Sequence, residues 1–176
     1  MKATLDACVL YPTVMRQMLL GAAEAGLYTP LWSPRILEEW ARAVARLGPR
    51  DEAIARADIA QMRARWPMAC VTPPDSLIRR LHLPDVNDIH VLASAIAGSA
   101  DVIVTQNAAD FPRGILAEEG LRRQDADQFL RGLDTHAMAR VAEQVRREAE
   151  RLSGEPWTIR ALLKKARLPR LAKLLD

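Results

Sequence analysis

The sequence predicts an α/β fold: a parallel β-sheet with helices on both faces, followed by a helical C-terminal appendage. Three observations predict it. The N-terminal run and "DVIVT" (101–105) have the length and apolar, β-branched character of buried strands. Longer segments with helical spacing separate the strands. Proline and glycine stand where those helices should start and stop. Strands alternating with helices specify a parallel sheet joined by right-handed crossovers.

Each element has its own signal. "ATLDACVLY" (3–11) opens as a buried strand, and "PTVMRQMLLGAAEAG" (12–26) follows as a helix with proline at its start and Gly26 at its end. "LYTPLW" is a weak second strand. "SPRILEEWARAVARLG" (33–48) is a strong helix with Ser33 as N-cap and Pro34 at the first helical position, stopping at Gly48-Pro49. "DEAIARADIAQMRARW" (51–66) is a further helix and "ACVTPP" (69–74) a short strand. "DIHVLASAIAG" (88–98) is a small-residue helix closed by Gly98, leading into "DVIVT", the best strand in the chain. After Phe111-Pro112 come "LAEEG", "DADQFLRGL" and the long polar helix "THAMARVAEQVRREAERL" (135–152). A break at "SGEPW" precedes "TIRALLKKARL" and "PRLAKLLD". There is no internal repeat and no low-complexity tract.

At 49% hydrophobic and 27% charged residues, the composition is that of an ordinary globular chain and excludes a disordered or collagen-like one. No apolar run approaches a membrane span, and "MKATLDACVLYP" lacks the apolar core of a signal peptide, so a cytoplasmic protein with no membrane partner is expected. Two cysteines, Cys8 and Cys70, and three histidines supply neither a disulfide framework nor a zinc site. The net charge of +3 is uneven. Residues 1–139 hold 15 Lys/Arg against 17 Asp/Glu, and residues 140–176 hold 10 against 5. That basic end can face nucleic acid or an acidic partner, or form a solvated helical face.

In open parallel sheets the reactive crevice lies beyond the carboxyl ends of the strands. Asp6 follows the first strand, and Thr105, Asn107 and Asp110 follow the last. Asp88 begins the helix leading into that last strand, and Glu38 and Glu39 lie early in the helix after the second strand. Each acid has a local explanation: Asp6 as a turn residue, Glu38 and Glu39 on a solvated face, Asp88 as an N-cap, Asp110 in an Asx-turn before Pro112. Taken together they converge on one crevice, where carboxylates repel and a cation relieves the conflict. Oxygen ligands without histidine or thiolate suit Mg²⁺ or Mn²⁺, and the chemistry that follows is attack of a metal-activated water on a phosphodiester.

The stretches "LDACVLYP", "SPRILEEW", "LPDVNDIHVLASAI" and "DVIVTQNAADFP", in this order, resemble the motifs of PIN-domain ribonucleases, particularly the VapC-like toxin branch. The resemblance covers residues 1–133, leaving 134–176 as a basic helical appendage. It implies a Mg²⁺- or Mn²⁺-dependent endoribonuclease acting as the toxin of a toxin–antitoxin pair. Asp6, Glu39, Asp88 and Asp110 would be the metal-binding acids and Thr105 and Asn107 would support them. Glu38 stays open as the alternative to Glu39, and Asp85 as a supporting acid or a loop residue. The expected partners are an RNA substrate, a cognate antitoxin and a second copy of the chain. Cys8 departs from the asparagine common in this branch and removes a hydrogen-bonding side chain. His90, two residues after Asp88, is assigned a structural role. Trp32, Trp40 and Trp66 are expected in the core, and Trp157, in the basic end, is the candidate for RNA contact. Two rivals remain. One is a non-catalytic PIN-like module binding RNA or protein. The other is a phosphatase-type hydrolase, which lacks the second aspartate two residues after Asp6.

Overall fold

The computed structural model describes residues 1–176. Four strands, β1 (Lys2–Leu5), β2 (Thr29–Leu31), β3 (Val102–Val104) and β4 (Arg122–Gln124), form one sheet in the order β2-β1-β3-β4, with every neighbouring pair parallel. Ala3, Thr4 and Leu5 are all fully buried, as are Val102, Ile103 and Val104. Successive strand residues point to opposite faces, so both faces of β1 and β3 are covered, as a parallel α/β sheet requires.

The helices are α1 (Ala7–Leu10), α2 (Thr13–Glu24), α3 (Pro34–Ala45), α4 (Pro49–Arg65), α5 (Asp75–Arg80), α6 (Ile89–Ala97), α7 (Arg113–Glu118), α8 (Ala126–Arg131), α9 (Thr135–Ser153), α10 (Ile159–Lys165) and α11 (Pro169–Leu174). A single 3₁₀ turn, Val86–Asp88, leads into α6. Ser33 caps α3 by accepting from the Ile36 N–H at 3.1 Å, with Pro34 beginning the helix. No helix is long and apolar enough to cross a membrane.

The structure departs from the sequence expectation at several places. The first strand stops at Leu5 with Asp6 at its end as expected, but "ACVL" winds into α1 instead of continuing extended. "ACVTPP" makes only an isolated parallel bridge, Cys70 to Trp32, since Pro73 and Pro74 have no N–H to extend a ladder. β4 went unread: "RRQ" is an edge strand whose residues are exposed or half-buried, so it carries no apolar signal.

One core of 43 buried residues includes Leu5, Trp32, Trp40 and Phe111 and also Met138, Val141, Leu162, Leu163, Leu168 and Leu171 from the C-terminal helices. α9 lies along α2, closely enough that a methyl on Gly21 would come within 2.7 Å of Val141 Cγ1. The α11 N-terminus is held by Asp127 of α8, whose carboxylate accepts the N–H groups of Arg170 and Leu171, each at 2.9 Å. Trp66 packs edge-on against Trp32 at the margin of the core.

Candidate active site

The strand order reverses direction between β1 and β3: the chain moves outward from β1 to β2, then crosses back to β3 and β4. A crevice opens at such a switch point, at the carboxyl ends of the two strands. Asp6 leaves β1 there, and its N–H donates to Val104 O at 3.1 Å. Asp6 sits at the N-cap position of α1, yet its side chain makes no cap bond. Instead its Oδ2 accepts from the Thr105 hydroxyl at 2.7 Å and from the Cys8 thiol at 3.1 Å. Asp6 is only 4% exposed and Thr105 2%. These two bonds fix a nearly buried carboxylate at the β1–β3 junction.

Thr105 also accepts the Asn107 N–H at 3.0 Å, which starts the turn that carries Asp110. Asp110 N–H closes that turn on Asn107 O at 3.1 Å, and the fully buried Phe111 ring anchors it. Arg123, from the unread strand β4, donates to Phe111 O at 2.7 Å and holds the same turn. Asn107 therefore contributes through its backbone while its side chain faces solvent.

Asp88 occupies the N-cap position of α6 without making a cap bond, and neither its carboxylate nor that of Asp110 accepts a hydrogen bond from the protein. Asp85, by contrast, is engaged locally, accepting from Asn87 N–H at 2.8 Å and Asn87 Nδ2 at 3.0 Å. Partial burial raises Asp88 well above the usual carboxylate range, to about 6, and the charges of Asp6, Asp110 and Asp85 push it the same way. Asp6, Asp88, Asp110 and Asp85 thus share one field.

The two glutamates of α3 part company. Glu38 turns toward α4 and pairs with Arg56 and Arg42, each at 3.0 Å. Glu39 turns toward α6, where its Oε1 lies 2.8 Å from His90 Nε2. Burial raises the Glu39 carboxyl, but His90 and Arg35 outweigh it and hold the group below its ordinary value. The contact is off the direction of a well-formed hydrogen bond, so both nitrogens of the buried His90 ring lack a satisfied partner. His90 therefore joins Glu39 to the helix that Asp88 begins, a link its position in the sequence did not disclose.

Two further residues support the site: Arg16, for which the sequence carried no signal, and Cys8, whose expected loss of hydrogen bonding the structure corrects. Arg16, in the apolar stretch of α2, is 8% exposed, donates to Leu10 O at 2.6 Å and to Tyr11 O at 3.3 Å, and pairs with Asp58 at 3.1 Å. It ties down the C-terminal end of α1, the turn that Asp6 begins. Cys8 does not leave a gap where the resemblance placed asparagine: its thiol donates to Asp6, and its sulfur accepts the Gln106 N–H at 3.3 Å. Burial, reinforced by Asp6, pushes the thiol up to about 12.

The donor set fits a hard divalent cation: carboxylate oxygens that oppose one another's charge, beside a thiol held in its protonated form. The aspartates feel one another's charge without closing into a cage, since no three His, Cys, Asp or Glu side chains stand close enough to hold an ion. An all-parallel sheet with carboxylates at the carboxyl ends of its two central strands defines an α/β domain with its ligand crevice at that edge. A family model described as PIN domain matches residues 2–109, more than half of the chain, and the chain belongs to the PIN-domain family. No curated protein and no solved structure matches it.

Proposed function

We propose that the protein is a Mg²⁺- or Mn²⁺-dependent endoribonuclease of the VapC-like branch, hydrolysing RNA phosphodiester bonds as the toxin of a toxin–antitoxin pair. One observation carries the reading: Asp88 stands at a helix N-terminus without capping it, its charge opposed by Asp6, Asp110 and Asp85. A carboxylate kept there at an electrostatic cost, with no structural bond in return, is a ligand site rather than a cap. Asp6, Asp88, Asp110 and Glu39 would hold the ion, which when bound would supply an activated water and neutralise charge at the phosphodiester. Thr105 and Cys8 orient Asp6 through their hydrogen bonds. Arg123 and Phe111 hold the turn that presents Asp110, and His90 holds Glu39 toward α6.

The test is cleavage of a single-stranded RNA by the full chain with Mn²⁺, with EDTA, and with Asp88→Asn. Metal-dependent cleavage that disappears in both controls is expected. RNA retention without cleavage at any Mn²⁺ concentration would make the protein a binding module instead. Growth arrest on expression, lifted by Asp88→Asn, together with a small upstream reading frame carrying a DNA-binding segment, bears on the toxin role.

A further inference from the structure

Beside the acids lies a cleft of about 620 Å³ whose walls come from both ends of the chain. Cys8 and Tyr11 line one side, Gln106 and Asn107 the rim next to Asp110, and Lys165 and Arg167 the far side. The cleft adjoins the acids through two of its lining residues: Cys8 is bonded to Asp6, and Asn107 opens the turn that ends in Asp110.

Of the basic residues from Arg160 to Lys173, only Lys165 and Arg167 line the cleft. Arg160 pairs with Asp176 and Arg170 with Asp125, whereas neither Lys165 nor Arg167 has a carboxylate partner. Lys165 lies over the Trp157 ring, 4.9 Å from its centroid, which steadies the ammonium while leaving its N–H groups to solvent. Arg167 sits at φ 61°, in the left-handed region where glycine is the easiest residue, directly after the last turn of α10. The cleft thus has a floor that includes Trp40 and Met15, an aromatic ring, Tyr11, that is 39% exposed, two side-chain amides and two unpaired cations. Apolar faces take a base by stacking, amides can bond its edges, and paired cations suit a phosphate.

We infer that this cleft is a subsite for the nucleotide next to the cleaved bond. Its base rests on Tyr11 within reach of Gln106 and Asn107, and its phosphate meets Lys165 and Arg167. The inference rests on the nuclease reading for its substrate. It assigns the C-terminal helices a share in positioning single-stranded RNA, so that the strand runs from the acids toward the α10–α11 corner.

The experiment uses the full chain carrying Asp88→Asn, which leaves RNA intact, and a fluorescent single-stranded RNA of mixed sequence. Binding is followed by anisotropy across a salt series, in three variants. Lys165→Gln with Arg167→Gln removes the cleft pair. Lys164→Gln with Lys173→Gln removes the same charge from exposed positions outside the cleft. Tyr11→Ala removes the ring. The cleft pair is expected to weaken binding on the order of tenfold at low salt and to flatten the log–log salt slope by about 0.7, for the one phosphate it neutralises. Tyr11→Ala weakens binding with the slope unchanged, and the outside pair shifts it less than about twofold. Thermal melts like the parent's show that all three fold.

Equal weakening by both pairs would mean diffuse attraction and would overturn the subsite, as would an unchanged affinity in the cleft pair. The two readings separate in the Asp88-containing chain. Mn²⁺-dependent cleavage whose KM ignores the cleft pair removes the subsite and keeps the nuclease. Cleft-dependent RNA binding with no cleavage keeps the subsite and removes the nuclease.

Discussion

Asp88→Asn, measured without metal, should stabilise the protein at neutral pH and leave it unchanged in acid. The folded protein holds this carboxyl at about 6, above its unfolded value, so the native state takes up a proton more readily than the unfolded chain. The sign follows: the ionised group destabilises the fold fully above pH 6, and that penalty fades as pH falls toward 4. The displacement corresponds to about 3 kcal/mol if taken at face value. The side chain is only partly buried, and solvent screening leaves about 1 kcal/mol. For a chain of this size that is a rise in Tm of roughly 2–4 °C at pH 7 and none at pH 4. Melts of wild type and Asp88→Asn in EDTA at the two pH values measure it. Saturating Mn²⁺ should raise the wild type by about 2.7 kcal/mol at a hundredfold excess over Kd and leave the variant where it was. A capping aspartate behaves otherwise: asparagine caps as well, so nothing changes at either pH, while alanine costs about 1 kcal/mol. A lower Tm for Asp88→Asn at pH 7, or an equal gain at both pH values, would refute the shared-field account.

The remaining predictions concern the glutamate pair and the packing that carries the site. Glu39→Gln should lower RNA cleavage on the order of a hundredfold, while Glu38→Gln, which breaks only surface pairs with Arg42 and Arg56, should leave kcat within about twofold, as read by single-turnover kinetics. Leu171→Ala should cost about 2–5 kcal/mol in urea melts, because the side chain is fully buried in the common core. Asp127→Ala should cost about 2–3 kcal/mol, leaving two N–H groups of α11 without their acceptor. Gly21→Ala should cost about 1–3 kcal/mol through the collision with Val141, and Val141→Ala should recover part of it.

Much of this architecture was legible because the relevant signals are local. Ser33-Pro34 marked the start of α3, Gly98 the end of α6, and the β-branched run the centre of β3. Asp6, Asp88 and Asp110 could be aimed at one crevice because a parallel sheet gives every strand end the same address. What stayed hidden depends on partners far apart in the chain. The polar strand β4 is a strand only because β3 offers it a free edge. Glu38 and Glu39 differ by one helical step, and only the placement of His90 and Arg56 tells them apart. Nothing in the spelling of Lys165 and Arg167 separates them from the other basic residues of the C-terminal segment. Their place on the wall of the cleft appears only once α10 is folded against the rest.

The hydrogen bond from Thr105 to Asp6 spans 99 positions of sequence, and this sets when the site can exist during synthesis. While a chain is being extended, Asp6 emerges early but has nothing to hold it until β3 has been made and has paired with β1. Arg123, which holds the turn bearing Asp110, arrives still later, and the Leu168–Leu171 segment last of all. Long-range parallel pairing is slow to form as well as late to become available. The acids therefore stay dispersed until β3 has paired with β1, and the site is complete only once Arg123 has joined them.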